Sequence, residues 1–150
     1  MSVAAANPPF GRLILVIGPE GLLIDRAVAD LCLQMRSEAP EVEISAIEAA
    51  RLDRGTLLEI TGPSLFSSRR AAVIYELENV SPDLGQDLVD LASEKLSDLA
   101  IILVHGGGAK GKGLVDKVKS AGAEVIECAA VKAWELPQFV SAEVKRAGSS

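Results

Sequence analysis

The chain has 150 residues, 49% of them hydrophobic and 24% charged, which is the size and balance of one globular domain and excludes a fibrous repeat or a disordered chain. Its net charge of −6 argues against a domain that grips nucleic acid by its own surface, because phosphate contacts need a cationic footprint. The longest apolar runs are too short to cross a bilayer, and Met1–Phe10 lacks the basic start and apolar middle of a secretory signal, so the cytoplasm is the expected compartment.

Met1–Phe10 reads as a flexible arm, with small residues and then Asn-Pro-Pro up to Pro9. Leu13–Ile17 is a continuous aliphatic run, as expected of a strand covered on both faces. Gly18-Pro19-Glu20-Gly21 leads into a helix over Leu22–Arg36, with Leu23, Ala27, Val28, Leu31 and Met35 on one stripe. Val42–Ile47 alternates Val42, Ile44 and Ala46 with Glu43 and Ser45, the pattern of an edge strand. A short helix, Thr56–Ile60, is ended by Gly62 and Pro63. The third strand is expected over Ala71–Leu77. A helix over Pro82–Leu96 follows, with Ser81 as N-cap and Leu84, Leu88, Leu91 and Ala92 inward. Leu99–Val104 is the fourth strand, Leu114, Val118 and Ala121 mark a shorter helix, and Glu124–Cys128 is the fifth strand. A last helical stripe runs through Trp134–Ala147, and residues 148–150 read as a tail.

Strand and helix thus alternate five times, which predicts right-handed crossovers and an α/β fold: a three-layer, five-stranded parallel sheet with helices on both faces. Aromatic residues are only 3%, so Leu, Ile, Val and Ala must fill the core. Cys32 and Cys128 have no metal or redox spacing and are expected to be reduced thiols.

In open parallel sheets ligands sit at the carboxyl ends of strands. A phosphate cradle there needs a glycine loop whose N–H groups converge on the anion and a lysine to reach the outer phosphates. The loop after the first strand has neither: Leu22, Leu23 and Ile24 stand where Gly, Lys and a hydroxyl residue belong, and Glu20 repels phosphate. Gly106–Gly113 matches G-x-x-x-x-G-K, but Gly113 replaces the Ser or Thr that would hold Mg²⁺, and the loop follows the fourth strand. It reads as a flexible basic surface loop; the competing reading is a divergent P-loop nucleotide-binding protein. The third strand ends in Glu76 and Glu78 rather than an Asp-Glu pair, which also disfavours a phospho-accepting receiver domain. His105, the sole histidine, has no carboxylate or cysteine near it in sequence and reads as a strand-end residue. No catalytic residues, metal ligands or cofactor are expected, and the domain is not read as an enzyme.

Residues 61–70, Thr-Gly-Pro-Ser-Leu-Phe-Ser-Ser-Arg-Arg, are the unusual stretch. Leu65 and Phe66 are two bulky apolar residues in a polar loop, just before a basic pair. They either fold back over the core or protrude as a hydrophobic anchor for a partner's pocket, since large apolar loop residues are costly to expose without use.

Taken together, Leu13–Glu20 with Leu23 and Ile24, Ser64-Leu65-Phe66 with Arg69-Arg70 and the following strand, Ile101–Val104 with its Gly/Lys-rich loop, and Trp134-Glu135-Leu136-Pro137 are collinear with a known pattern. Over residues 11–147 the chain resembles the N-terminal, AAA+-type domain of the delta subunit of the bacterial DNA polymerase III clamp loader. The resemblance implies strand order 5-1-4-3-2 and a degenerate nucleotide site. It implies a non-catalytic part in DNA replication, within a holoenzyme that is a DNA-directed DNA polymerase: binding the beta sliding clamp and helping to open the ring. Leu65 and Phe66 would enter the clamp's pocket with Ser64 beside them, surrounded by the helix around Thr56–Ile60 and the loop to Arg69. Thr61 stands where such motifs often carry a glutamine, so the polar sub-site would be weakly filled. The family's lid and collar domains are expected to be absent from this chain. Contacts with other loader subunits would run through them, DNA would be met only indirectly, and no membrane is involved.

Overall fold

The computed structural model describes residues 10–62, 69–94, 96 and 98–128. Five strands form one parallel sheet: β1 (Leu13–Ile17), β2 (Glu43–Glu48), β3 (Arg70–Tyr75), β4 (Leu99–His105) and β5 (Glu124–Glu127), in the order β2-β3-β4-β1-β5. This is the expected order read from the other edge. The alternating run lies at an edge as β2, and the continuous aliphatic runs β3, β4 and β1 fill the middle, where both faces are covered.

Among the described residues four α-helices cover the sheet: α1 (Gly21–Glu38), α2 (Arg54–Thr61), α3 (Pro82–Ser93) and α4 (Lys112–Ser120). From β1 the chain steps towards one edge to reach β2, and every later step runs back the other way. Right-handed crossovers therefore put α1 on one face and α2, α3 and α4 on the other. The two cores match that division. Ile24, Val28, Leu31 and Met35 of α1 pack on Ile14, Val16, Val73 and Ile102. Leu57, Ile60, Leu84, Leu88, Val115 and Val118 of the other helices pack on Leu13, Leu15, Ile74, Ile101 and Leu103. Arg12 pairs with Glu124 and ties the outer strand β5 to the sheet.

Several boundaries shift by one to three residues from the sequence expectation, and β3 and α3 both end early. β3 stops at Tyr75 rather than Leu77, because Glu76 adopts the left-handed conformation (φ 55°) and a single 3-10 turn, Leu77–Asn79, follows. That turn drives Leu77 fully into the core, so its apolar character reports burial and not strand. α3 ends at Ser93, three residues short of Leu96. The Ser81 cap is present, its hydroxyl accepting from Leu84 N, with Pro82 opening the helix. The expected helix over Trp134–Ala147 lies outside the described residues. Cys32 and Cys128 are both free, and burial raises the pKa of both thiols.

Candidate functional site

The carboxyl ends of β1 and β4, where a nucleotide would sit in a sheet of this kind, are filled by backbone. Gly18 N–H donates to His105 O at 3.1 Å, and Glu20 N–H reaches Cys128 O at 3.4 Å, so these two donors are turned to carbonyls. Gly18 and Gly107 pack so tightly that a Cβ on Gly107 (φ 84°) would lie 3.0 Å from the Gly18 carbonyl carbon. The chain after β5 closes the other side, with Cys128 N–H bound to Ile17 O at 2.7 Å. No cradle opens after β1.

The Gly106–Gly113 loop lies at the surface, as the sequence suggested, and is hydrogen-bonded to its surroundings at several points. His105, 1% exposed at the end of β4, accepts from Gly107 N–H through Nδ1 at 2.9 Å and meets Lys110 O through Nε2 at 2.7 Å. With Nδ1 accepting, Nε2 is the nitrogen placed to donate to Lys110 O. His105 is thus a strand-end brace. The Glu78 carboxylate accepts from Gly106 N–H at 3.2 Å, placing an anion where a phosphate would have to bind. Lys110 donates to Asn79, and Lys112 lies on the exposed side of α4 with Asp116 at 3.6 Å. Among the described residues no cluster of His, Cys, Asp or Glu could hold a metal ion, and no helix is long and apolar enough to cross a membrane.

The residues that flank the apolar stretch, Gly62 and Arg69, lie at the opposite end of the sheet. They stand at the end of α2 and the start of β3, the amino end of the parallel strands, away from the closed cradle. Ser64, Leu65 and Phe66 lie outside the described residues; Thr61, Gly62, Arg69 and Arg70 define the frame that holds the segment. Thr61, the last residue of α2, turns its hydroxyl back to Leu57 O at 2.7 Å. Arg70 reaches Glu59 O at 2.7 Å and Gly62 O at 2.5 Å and pairs with Glu43 at 3.2 Å. Arg69 meets Glu38 and Asp98 and stacks over the Phe10 ring at 5.1 Å. Beside this frame α2 exposes an apolar side chain: Leu57 and Ile60 face the core, while Leu58 is 67% exposed. The sequence reading missed Leu58, although a helical projection puts it about 100° from Leu57 and off the buried stripe.

The start of α2 is set by Asp53, whose carboxylate accepts from Thr56 N–H at 2.7 Å. That bond to the backbone holds the Asp53 pKa below the ordinary aspartate value. A folded value below the unfolded one means that the cap's contribution is complete above the unfolded pKa and is lost as pH falls through the folded one. Asp53→Asn keeps a capping oxygen but cannot titrate. Urea melts at about pH 7 and about pH 3 should show a smaller acid loss in this variant than in the wild type; equal losses would contradict the assignment.

No protein-family model matches the chain, and no curated protein sequence matches it. Solved structures do. The DNA clamp loader delta protein of Bacillus subtilis superposes with a TM-score of 0.68 at 11% identity, over 97% of this chain and 46% of that one. What is shared with these structures is the fold, a five-stranded parallel sheet in the order β2-β3-β4-β1-β5 with helices on both faces. A RuvB protein of Thermotoga maritima matches with a TM-score of 0.57 at 16% identity, over 92% of this chain and 44% of that one. A DNA polymerase III gamma subunit-related protein from Thermotoga maritima matches with a TM-score of 0.54 at 14% identity, over 95% and 48%. The chain spans just under half the length of each of these three proteins.

Proposed function

We propose that this chain is a non-catalytic clamp-loader domain of the delta type, which binds the beta sliding clamp of DNA polymerase III through residues 64–66 and helps to open the ring. The observation that carries the reading is Leu58, 67% exposed on α2 at the foot of the segment that contains Leu65 and Phe66. An exposed leucine on the helix that leads, within a few residues of sequence, into Leu65 and Phe66 supports an apolar contact with a partner's pocket. The likeness to a delta protein over 97% of the chain supports the same reading. Opening a ring requires only that the open form bind this domain more tightly than the closed form does. The partner is then a protein, with DNA met indirectly, in keeping with the net charge of −6.

The alternative, a nucleotide-binding protein using Gly106–Gly113, is disfavoured by the Glu78 carboxylate on Gly106 N–H and by the pairing of Lys112 with Asp116. Two measurements separate the readings. Titration of the purified chain into beta clamp, followed by calorimetry, should show saturable binding; none at high micromolar clamp would refute the proposal. Equilibrium dialysis with Mg-ATP should show no saturable binding, and saturable binding abolished by Lys112→Ala would favour the alternative.

A further inference from the structure

We propose that Arg70 is a positioning residue for the clamp-binding segment: its guanidinium caps the end of α2 and fixes the exit at Gly62. The inference rests on the clamp-binding reading above and adds the part that holds the anchor in place.

The need for Arg70 begins with a missing donor. In a continuing helix the carbonyl of Glu59 would accept from the N–H four residues on, but that residue is Pro63, which has none. Proline also disfavours the helical conformation in the residue before it, and Gly62 is accordingly extended (φ −80°, ψ 178°). The last turn of α2 therefore ends with carbonyls that its own backbone cannot satisfy. Arg70 supplies the donor from the neighbouring strand, through one nitrogen to Glu59 O at 2.7 Å and Gly62 O at 2.5 Å. A cation at this end also complements the negative pole of the helix. The side chain is only 14% exposed and is held from behind by Glu43 of β2 at 3.2 Å. One guanidinium thus joins β2, the end of α2 and the start of β3. It sets where the chain leaves Gly62, while Arg69, tied to Glu38 and Asp98, holds the point of return. An anchor presented from a fixed frame loses less freedom on docking than one on a loose frame.

Lysine at this position keeps the charge but has a single nitrogen, so it cannot serve the two carbonyls while a second nitrogen faces Glu43. In Arg70→Lys the clamp affinity should fall about tenfold, mainly through a slower on-rate, because a smaller fraction of free molecules holds the binding-ready exit. Amide exchange should quicken at residues 60–62 and stay unchanged in β4, a local signature that general destabilisation does not produce. In the unaltered chain, NMR of the Arg70 guanidinium should show hindered rotation, and this measurement does not depend on any variant folding. A freely rotating guanidinium, or wild-type affinity in a folded Arg70→Lys, would overturn the positioning role while leaving clamp binding intact. No clamp binding by the wild-type chain would overturn the underlying reading and the role of Arg70 with it.

Discussion

Replacing Leu65 and Phe66 together by alanine should weaken binding to the sliding clamp by at least about a hundredfold while leaving the melting temperature near that of the wild type. Burying a leucine or phenylalanine side chain yields about 1.5–3 kcal/mol each, and every 1.4 kcal/mol is about tenfold in affinity. Few residues dominate interfaces of this kind, so the pair should account for most of the measurable binding. The fold should survive because the described core is extensive, with Leu, Ile and Val side chains from β1, β3, β4 and all four helices packed on both faces of the sheet. Calorimetric titration of the double variant against the clamp tests the claim, with a thermal melt as the control for folding. Unchanged affinity would remove these residues from the interface. A collapse of the melting temperature would mean that the two side chains close the core instead of meeting a partner.

The second large effect is expected at Gly18, far from that edge. A Cβ built there would lie 2.1 Å from the carbonyl oxygen of Cys128 and 2.5 Å from its carbonyl carbon. Backbone atoms cannot swing aside as a flexible side chain can, and this stretch is held by Cys128 N–H to Ile17 O at 2.7 Å and by Glu20 N–H to Cys128 O at 3.4 Å. Relief requires breaking the join between the ends of β1 and β5. Gly18→Ala should therefore cost about 3 kcal/mol or more and lower the melting temperature by on the order of 10 °C. Gly21→Ala serves as the control, since nothing lies within 4 Å of a Cβ there and the residue opens a helix. That change should be neutral or mildly stabilising, by at most about 1 kcal/mol. Equal melting temperatures for the two variants would refute the tight closure. The same contact bears on function, because the backbone that excludes a Cβ at Gly18 also fills the place of a phosphate cradle.

The sheet was largely legible in the residues. Leu13–Ile17 coincides with β1, and the alternating run Val42–Ile47 is the edge strand β2 shifted by one residue. Aliphatic continuity and alternation are local consequences of how many faces a strand buries, so they survive in the sequence. The errors fall where local character is ambiguous. Leu77 continues an apolar run, yet the turn at Glu76 makes it a core residue of a 3-10 turn. The hydrogen bonds of His105, Glu78 and Asn79 to Gly106–Gly113 could likewise not be read from its glycines and lysines. At the candidate interface the apolar pair Leu65-Phe66 stood out in the sequence, but neither the exposure of Leu58 nor the capping by Arg70 did.

What the amino-acid order decided by itself was the class of fold, the near extent of its strands and helices, and the absence of a lysine-bearing glycine loop after β1, because each depends on neighbours within a few residues. What only the tertiary structure decided was the closing of the phosphate site by Gly18, Gly107 and Cys128 and the joining of β2, α2 and β3 through Arg70. Those contacts bring together segments far apart along the chain. Their geometry is set by how the strands order and the crossovers turn, and no local pattern encodes a distance across a folded sheet.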